Sequence, residues 1–226
     1  MEYVAAASFR ALASTDCFVV DFGAIIQGGI VATFARGKAG QQVTVFAGEV
    51  LYSDGSVKWW EDFLNDTEYR AVYTLREGEQ TIESHEFKEA RYWQVCGAPE
   101  LPTHAKVRGW RVWFPMGTDA TAVSNALPPA VPDEWDPAVF TSVRTSNASL
   151  NSVWELCRYT LRVGALDVNT DSNTRQRDPC NWDSHLQALG QAAIAPVAST
   201  PYRKRSLTFL FQPDALVNVW TEFCAF

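Results

Sequence analysis

Two different patterns of apolar and polar positions divide the chain. Between residues 14 and 117, short apolar runs alternate with polar positions and are separated by turns at intervals of about eight to twelve residues. Strands are predicted over residues 18–23, 30–36, 43–50, 69–75, 81–87, 91–96 and 107–114, with turns at 28–29, 37–40 and 53–55. Short strands in this arrangement are typical of an antiparallel β-sandwich, which we predict for residues 14–117.

A helical period replaces this alternation after residue 140. Asn147 is a predicted N-cap, although Asn147-Ala148-Ser149 is also a glycosylation sequon, and the cap is the favoured interpretation. A second helix is predicted over about residues 179–195 and a third over residues 212–223. The apolar positions that predict the first helix are Leu150, Val153, Trp154, Cys157, Tyr159 and Leu161.

The segment between the two patterns, residues 118–140, is rich in alanine, threonine, serine and proline. Proline lacks a backbone donor and disfavours helix, so Pro128-Pro129 and Pro132 argue for an irregular connection. We therefore predict a multi-domain α and β chain with a sandwich at 14–117, a linker at 118–140 and a helical region at 141–226.

Composition narrows the function classes. With 226 residues and 47% apolar content, the chain can bury a sizeable core. Its net charge of −7 argues against nucleic acid as a partner, because affinity for phosphates depends on lysine and arginine. No run of about eighteen apolar residues occurs, so neither a transmembrane helix nor a membrane partner is predicted.

The cysteines and histidines do not predict a metal site. Five cysteines cannot all pair within the chain, their spacing is not that of a zinc site, and the favoured interpretation is buried or neutral free thiols. The three histidines have no partners at metal-ligand spacing. The compartment in which the protein works is left undecided. The cysteines are Cys17, Cys96, Cys157, Cys180 and Cys224.

Residues 166–185 carry four aspartates, two arginines, one tryptophan and one histidine between the first two predicted helices. Asp178-Pro179 predicts the start of the second helix, because a short acidic side chain caps the first amides and proline tolerates the first helical position. The residues before it are predicted to be a loop, in which alternation sends Arg175 and Arg177 to one side and Gln176 to the other. We expect this loop to aim carboxylates and guanidinium groups into a shared binding space.

This loop resembles the catalytic loop of bacterial-type alpha-L-rhamnosidases, glycoside hydrolase family 78, through the spacing of Asp171, Arg175, Arg177 and Asp183. In that family the loop joins the first two helices of an (α/α)6 barrel. The resemblance implies that the two aspartates hold the rhamnose ring and that the two arginines frame it. An alternative interpretation is that these charges form only a structural ion-pair network linking helices.

The predicted sandwich also resembles the β-sandwich domain that precedes the barrel in this family. The resemblance therefore runs from about residue 20 to the end of the chain. It rests on Val20-Asp21-Phe22-Gly23, Lys38-Ala39-Gly40 before Val43-Thr44-Val45, Gly48-Glu49-Val50-Leu51 with Asp54-Gly55, and Phe87 followed by Arg91-Tyr92.

The chain departs from the family at one chemically decisive position. Between the two arginines the family carries a glutamate that acts as general acid, whereas this chain has Gln176. Glycoside hydrolysis needs a carboxylic acid to protonate the leaving oxygen and a second carboxylate about 5 to 9.5 Å away. An amide cannot supply that proton, although it can hydrogen-bond a sugar hydroxyl. Asp178 is only a weak substitute, because its predicted capping role holds it ionised.

Aromatic residues offer further candidate contacts with a sugar. Trp182 lies within the acidic stretch and is a candidate substrate-binding residue, next to Asp183, which is predicted on the first or second turn of the second helix. Trp59 and Trp60 could form a stacking platform, but the favoured interpretation places one in the core and the other on a strand edge. His185 is favoured as a helix-surface residue.

The last predicted helix stays apolar through Val217, Trp220, Phe223 and Phe226 and is followed by no capping glycine or polar tail. A barrel of twelve helices cannot be built from three, and the base of the family reaction would lie beyond this stretch. We therefore expect a fragment, whether a truncated gene, an excised piece or a degenerate relative. Self-association through the exposed C-terminal helix is expected unless further sequence covers it.

Two function classes remain open. The first is a fragment of a glycoside hydrolase that removes terminal alpha-L-rhamnose by inverting hydrolysis, inactive as given. The second is a non-catalytic carbohydrate-binding or interaction module derived from such an enzyme. The implied partner in both is a rhamnose-containing glycoside or oligosaccharide, and the family mechanism requires no metal or organic cofactor.

Overall fold

The structure, a computed structural model, describes residues 2–13, 16–61, 67–112, 140–170 and 181–210. These residues fall into two compact units, within 2–112 and 140–210. The first is an antiparallel sheet domain and the second contains three α-helices, in the order predicted from the sequence. The predicted linker lies outside the described residues, apart from Phe140.

The first unit is built almost entirely of antiparallel strands. Eight of them form one continuous sheet, while the two shortest strands pair separately. A single 3₁₀ turn, His104–Lys106, precedes the last strand. The strands are β1 (Glu2–Ala5), β2 (Ser8–Ala11), β3 (Cys17–Gly37), β4 (Gln42–Gly48), β5 (Trp60–Glu61), β6 (Thr67–Glu68), β7 (Arg70–Thr74), β8 (Gly78–Glu83), β9 (Lys88–Cys96) and β10 (Val107–Arg111).

The long strand β3 organises this unit by serving both layers of the sandwich. Its first part pairs with β2 and β9, and β9 continues the layer to β4 and β7. Its last part pairs with β10 and β8, and β10 continues to β1. Strands that change layers through a bulge or bend make the corners of sandwiches. Because β1 and β2 are paired in this way, the sheet extends to residues before position 14.

One hydrophobic core lies between the two layers. Every second residue of each part of β3 points into it, as expected for the period of two in a strand. Trp93 of β9 is 1% exposed and meets the ring of Phe22 edge-on at 5.1 Å. The buried members include Phe18, Val20 and Phe22 from the first part of β3, Ile30, Ala32 and Phe34 from its last part, and Val43, Val45, Val95 and Val107 from neighbouring strands.

A bulge in β3 is held by an ion pair. The register with β9 shifts between Asp21 and Ile26, opposite Arg91. Arg91 donates from Nε and Nη2 to the two carboxylate oxygens of Asp21 at 2.8 and 2.9 Å, and the Gly23 amide donates to the same carboxylate at 2.7 Å. Gly23 has φ 79°, which suits glycine at a bulge. Two of the stretches that carry the family resemblance therefore meet at this bulge.

The electrostatics of this pair follow from its environment. Burial raises the pKa of the Asp21 carboxyl, but the hydrogen bonds from Arg91 and from the Gly23 amide, together with the charge of Arg91, outweigh it. The net pKa of Asp21 therefore lies below its ordinary value. The carboxylate stays ionised well into the acidic range.

The predicted turn at residues 28–29 is wrong, because β3 runs through it without a break. These glycines instead allow other chain segments to approach closely. A Cβ at Gly28 would lie 1.7 Å from the carbonyl oxygen of Trp110, and one at Gly29 would lie 2.3 Å from Cβ of Ser84. Glycine in a strand interior commonly marks such a close backbone approach.

The expectation of free thiols is wrong for two of the cysteines. Cys17 and Cys96 face each other in the register of β3 and β9 and form a disulfide, with Cα atoms 4.1 Å apart. The bond joins residues separated by 79 positions in the sequence. Cys157 is an exposed free thiol, and Cys180 and Cys224 lie outside the described residues.

The second unit contains the helices α1 (Ala148–Val163), α2 (Asn181–Ile194) and α3 (Thr200–Leu210). The N-cap prediction is confirmed, because the Asn147 side chain accepts a hydrogen bond from the Leu150 amide at 3.2 Å. The predicted stripe of α1 is buried only in part: Trp154 and Leu161 pack against the core, whereas Leu150 and Val153 are exposed. That core consists of Phe140, Ala165, Ile194, Ala195 and Tyr202.

Helix α3 was not predicted. Its sequence signal was Thr200-Pro201, a polar residue followed by a proline that the first turn of a helix tolerates. The helix buries Tyr202 and Ser206, and most of its other described side chains are charged or exposed, so it lacks a clear apolar stripe. The helix predicted over residues 212–223 and the start predicted at Asp178-Pro179 lie outside the described residues.

None of the helices within the described ranges combines the length and apolar character needed to cross a bilayer. The (α/α)6 barrel stays a prediction, since three helices do not define it.

Candidate carbohydrate site

The predicted site residues divide between described and undescribed parts of the chain. Asp171, Arg175 and Arg177 lie outside the described residues, as do Gln176 at the general-acid position and its weak substitute Asp178. Trp182 and Asp183 lie at the start of α2 and are described. The common binding space predicted for all these side chains therefore stays a prediction.

Asp183 stands in the first turn of α2 and is half-buried. The unpaired amides and the dipole at the start of a helix favour a negative charge there. Its neighbour Trp182 is 69% exposed, and its ring centroid is 6.4 Å from that of His185, which is itself exposed. The start of α2 thus presents a carboxylate and an aromatic face together, which suits a sugar.

The chain entering the predicted loop is fixed to α2 by hydrogen bonds. Ser184 Oγ donates to the carbonyl oxygen of Asn169 at 3.3 Å, and Gln187 Nε2 donates to the carbonyl oxygen of Thr170. Gln191 Nε2 donates to Asn169 Oδ1 at 2.7 Å, and Asn169 Nδ2 donates in return to Gln191 Oε1 at 3.5 Å. We call these five residues the loop anchor.

The loop anchor is also tied to α3 and is removed from water. The Asn169 amide donates to Ser206 Oγ at 3.2 Å. Asn169 and Gln191 are each 0% exposed, and Ser184 is 3% exposed. Sequence analysis missed this cluster, although the polar positions 184, 187 and 191 of α2 have the spacing of one helix face.

An ion pair and a buried phenol lie close to the anchor. Asp167 Oδ1 accepts from Arg205 Nη2 at 2.5 Å in an exposed ion pair between the segment before the loop and α3. Burial raises the pKa of the Tyr202 hydroxyl, so it is a neutral phenol. In the described residues no group of three or more histidine, cysteine or acidic side chains could hold a metal ion.

One member of the Trp59-Trp60 pair was predicted to lie in the core. Trp59 is half-buried in the first unit. Its ring lies 5.0 Å from that of Phe46, and the guanidinium carbon of Arg70 is 5.7 Å from its centroid. It packs against a small buried cluster with Leu51. The side chain of Trp60 lies outside the description, so a stacking platform there stays a prediction.

Comparison with known proteins relates the first unit to a described family. Residues 12–113 match the family model described as bacterial alpha-L-rhamnosidase concanavalin-like domain. The first unit is therefore a rhamnosidase-related domain, which confirms the resemblance stated from the sequence and supports an origin among glycoside hydrolases. A comparison with curated protein sequences gave no match.

Solved structures show that the fold likeness extends over both units. An alpha-L-rhamnosidase from Streptomyces avermitilis, complexed with L-rhamnose, matches 93% of this chain with a TM-score of 0.69 and 22% identity. The alpha-L-rhamnosidase from Dictyoglumus thermophilum matches 94% with a TM-score of 0.58 and 14% identity. A Klebsiella oxytoca rhamnosidase with rhamnose bound matches 83% with a TM-score of 0.53 and 17% identity. The chain spans 18%, 26% and 34% of these three chains, respectively.

Proposed function

We propose that this chain is part of a glycoside hydrolase that acts on terminal alpha-L-rhamnose, and that it holds the sugar without hydrolysing it alone. The match of residues 12–113 to the rhamnosidase domain carries the proposal. Two of the similar structures hold rhamnose, which is why we propose this sugar here.

In this proposal the residues around the start of α2 bind the ring. Asp171 and Asp183 accept hydrogen bonds from sugar hydroxyls, Arg175 and Arg177 frame the ring, and the exposed Trp182 face covers its apolar side. The position of Asp183 in the first turn of α2 supports this role, because the start of a helix favours a negative charge.

Hydrolysis by this chain alone is not expected. Gln176 stands at the general-acid position, and an amide does not protonate a leaving oxygen. Incubation with p-nitrophenyl alpha-L-rhamnoside is therefore expected to release no p-nitrophenol above the uncatalysed rate. Turnover that persists through purification and is abolished by Asp178→Asn would contradict this and make Asp178 the acid.

Gln176 also favours a second candidate function, a non-catalytic carbohydrate-binding module. The two candidates differ in catalysis: Gln176→Glu in a chain that carries the rest of the enzyme should raise hydrolysis if the parent is a hydrolase, whereas a binding module stays inactive. Both candidates require binding of L-rhamnose by this chain, and a titration followed through tryptophan fluorescence tests that binding. L-Fucose, another 6-deoxy-hexose, is the matched control sugar.

The decisive variant is Asp183→Asn, which removes one charge and preserves shape. We expect it to weaken L-rhamnose binding by about tenfold or more, since a hydrogen bond to a charged group contributes about 1.5 to 3 kcal/mol. Asp167→Asn is the matched control, because its carboxylate is exposed and paired with Arg205 instead. Equal loss in both variants, or no loss in either, would refute the assignment of Asp183.

A further inference from the structure

The side chains of the loop anchor that belong to α2 lie along one side of that helix. Ser184, Gln187 and Gln191 are spaced by three and four residues and therefore lie on one face of α2. All three donate hydrogen bonds to Asn169 or Thr170. Asn169 and Thr170 are thus fastened along one side of the helix.

The strongest contact in this arrangement is the reciprocal amide pair. Gln191 Nε2 lies 2.7 Å from Asn169 Oδ1, whereas the return contact is longer at 3.5 Å. Asn169 Nδ2 also approaches the carbonyl oxygen of Ser184 at 3.4 Å. Each side-chain amide is therefore engaged by both its donor and its acceptor atom, which a buried amide requires.

Burying two side-chain amides is a poor way to stabilise a core. The net gain of a buried neutral hydrogen bond is small, and apolar side chains of similar volume would replace the pair at little cost. Buried polar networks do, however, specify one arrangement of the chain, because few other arrangements satisfy every donor and acceptor. The pair thus fixes geometry more than it adds stability.

The geometry it fixes is that of the two ends of the proposed sugar-binding loop. Asp171 is the residue after Thr170, and Asp183 is the residue before Ser184. Ser184 Oγ and the Asn169 carbonyl oxygen are 3.3 Å apart, so the two chain ends lie side by side. We infer that the Asn169–Gln191 pair is a positioning device that sets the separation between Thr170 and Ser184, the sequence neighbours of Asp171 and Asp183.

This inference rests on the proposed function for the identity of the sugar, but not for the existence of the device. The pair is a set of positioning residues, since it lies in the buried anchor and acts through the backbone of its neighbours. A purely structural role would predict that any well-packed replacement serves equally well. A positioning role predicts that a well-packed replacement restores stability without restoring the geometry of the loop ends.

Three variants separate the two roles. Gln191→Leu leaves the Asn169 amide buried and without its strongest donor. Asn169→Ala with Gln191→Leu removes both amides while roughly conserving total volume, which cores tolerate best. Ser199→Ala is the matched control, because it removes a buried hydrogen bond of 3.1 Å to the backbone carbonyl oxygen of Gln191 and leaves both side-chain amides of the pair in place. Unfolding in urea reports stability for all three.

The first readout does not involve a ligand. Exchange of the Asn169 amide, which donates to Ser206 Oγ, is followed by NMR and compared with that of an amide within α2, such as Leu189. In the double variant we expect stability to recover relative to Gln191→Leu, while exchange of the backbone amide at position 169 stays at least about tenfold faster than in the wild type. Ser199→Ala should lower stability and leave the ratio of the two rates unchanged.

The second readout is the dissociation constant for L-rhamnose. We expect it to rise by about tenfold or more in both pair variants and to stay unchanged in Ser199→Ala. Wild-type exchange and affinity in the double variant would overturn the inference and reduce the pair to core packing. If the wild type itself does not bind rhamnose, the proposed function fails, and the exchange ratio alone decides whether the positioning device exists.

Discussion

Removal of the Cys17–Cys96 disulfide is expected to destabilise the sandwich unit severely. The bond closes a sequence separation of 79 residues and encloses β4 to β8. In the chain-entropy model, a cross-link over this separation lowers the entropy of the unfolded chain enough to stabilise the fold by about 4.5 kcal/mol at 25 °C. Measured values for native disulfides of small domains are about 2 to 5 kcal/mol, so we expect a loss of about 3 to 4.5 kcal/mol.

The position of the bond favours the upper part of that range. Cys17 and Cys96 are register partners in β3 and β9, which are already adjacent, so the native strands need no displacement to be linked. Cys17 also packs against the small cluster of Leu12, Val19 and Val57. Serine at that position would lose part of this contact in addition to the cross-link.

The assay is urea unfolding of the Cys17→Ser, Cys96→Ser double variant, monitored by the fluorescence of the buried Trp93 and the other tryptophans. Cys157→Ser is the control, because Cys157 is an exposed free thiol and its loss should change the unfolding free energy by less than about 0.5 kcal/mol. Five free thiols titrated in denaturant without reductant, or equal stability of the double variant and the control, would refute the bond.

Three further perturbations test other parts of the fold. Asp21→Asn should cost roughly 1 to 2 kcal/mol at pH 7, discounted because Arg91 is partly exposed. Since the folded pKa of Asp21 is lowered, the wild-type advantage should persist above about pH 4 and decline as the pH falls through the folded pKa; an advantage that does not depend on pH in the acidic range would contradict the pairing. Asn147→Ala should lower the stability of the helical unit by about 1 kcal/mol, measured by thermal unfolding, because the cap is lost. Asn147→Ser should lower it much less, since serine also caps helices. Equal losses of stability in the two variants would argue against the cap. Gly28→Ala should cost at least about 2 kcal/mol, because the added methyl group would collide with Trp110. Gly40→Ala has open space but a φ of 82°, so it should cost only about 1 to 2 kcal/mol. The reverse order of the two losses would contradict the close approach at Gly28.

The local patterns of the sequence predicted most strands and the first two helices because those patterns reflect which face of an element is buried. They failed where a distant part of the chain decides. Gly28-Gly29 resembles a turn until Trp110 of β10 is seen to cross it. The Cys17–Cys96 bond depends on a strand register that spacing alone does not give.

The candidate site shows the same division. The composition of residues 166–185 and the start of α2 near Asp183 were visible in the sequence. The loop anchor was not, because serine and glutamine at helical spacing normally mark a solvent-exposed face. The fold shows that this face of α2 is buried where Asn169 packs against it.

The most direct test of the account is chemical-shift mapping of the isotopically labelled chain with L-rhamnose. Saturable shifts are predicted at the backbone amides of Thr170, Asp183 and Ser184 and at the indole of Trp182, with none of comparable size in the sandwich unit. The same titration with L-fucose should produce much smaller shifts. Shifts confined to the sandwich, or no saturable shift at any rhamnose concentration, would contradict a sugar site at the start of α2.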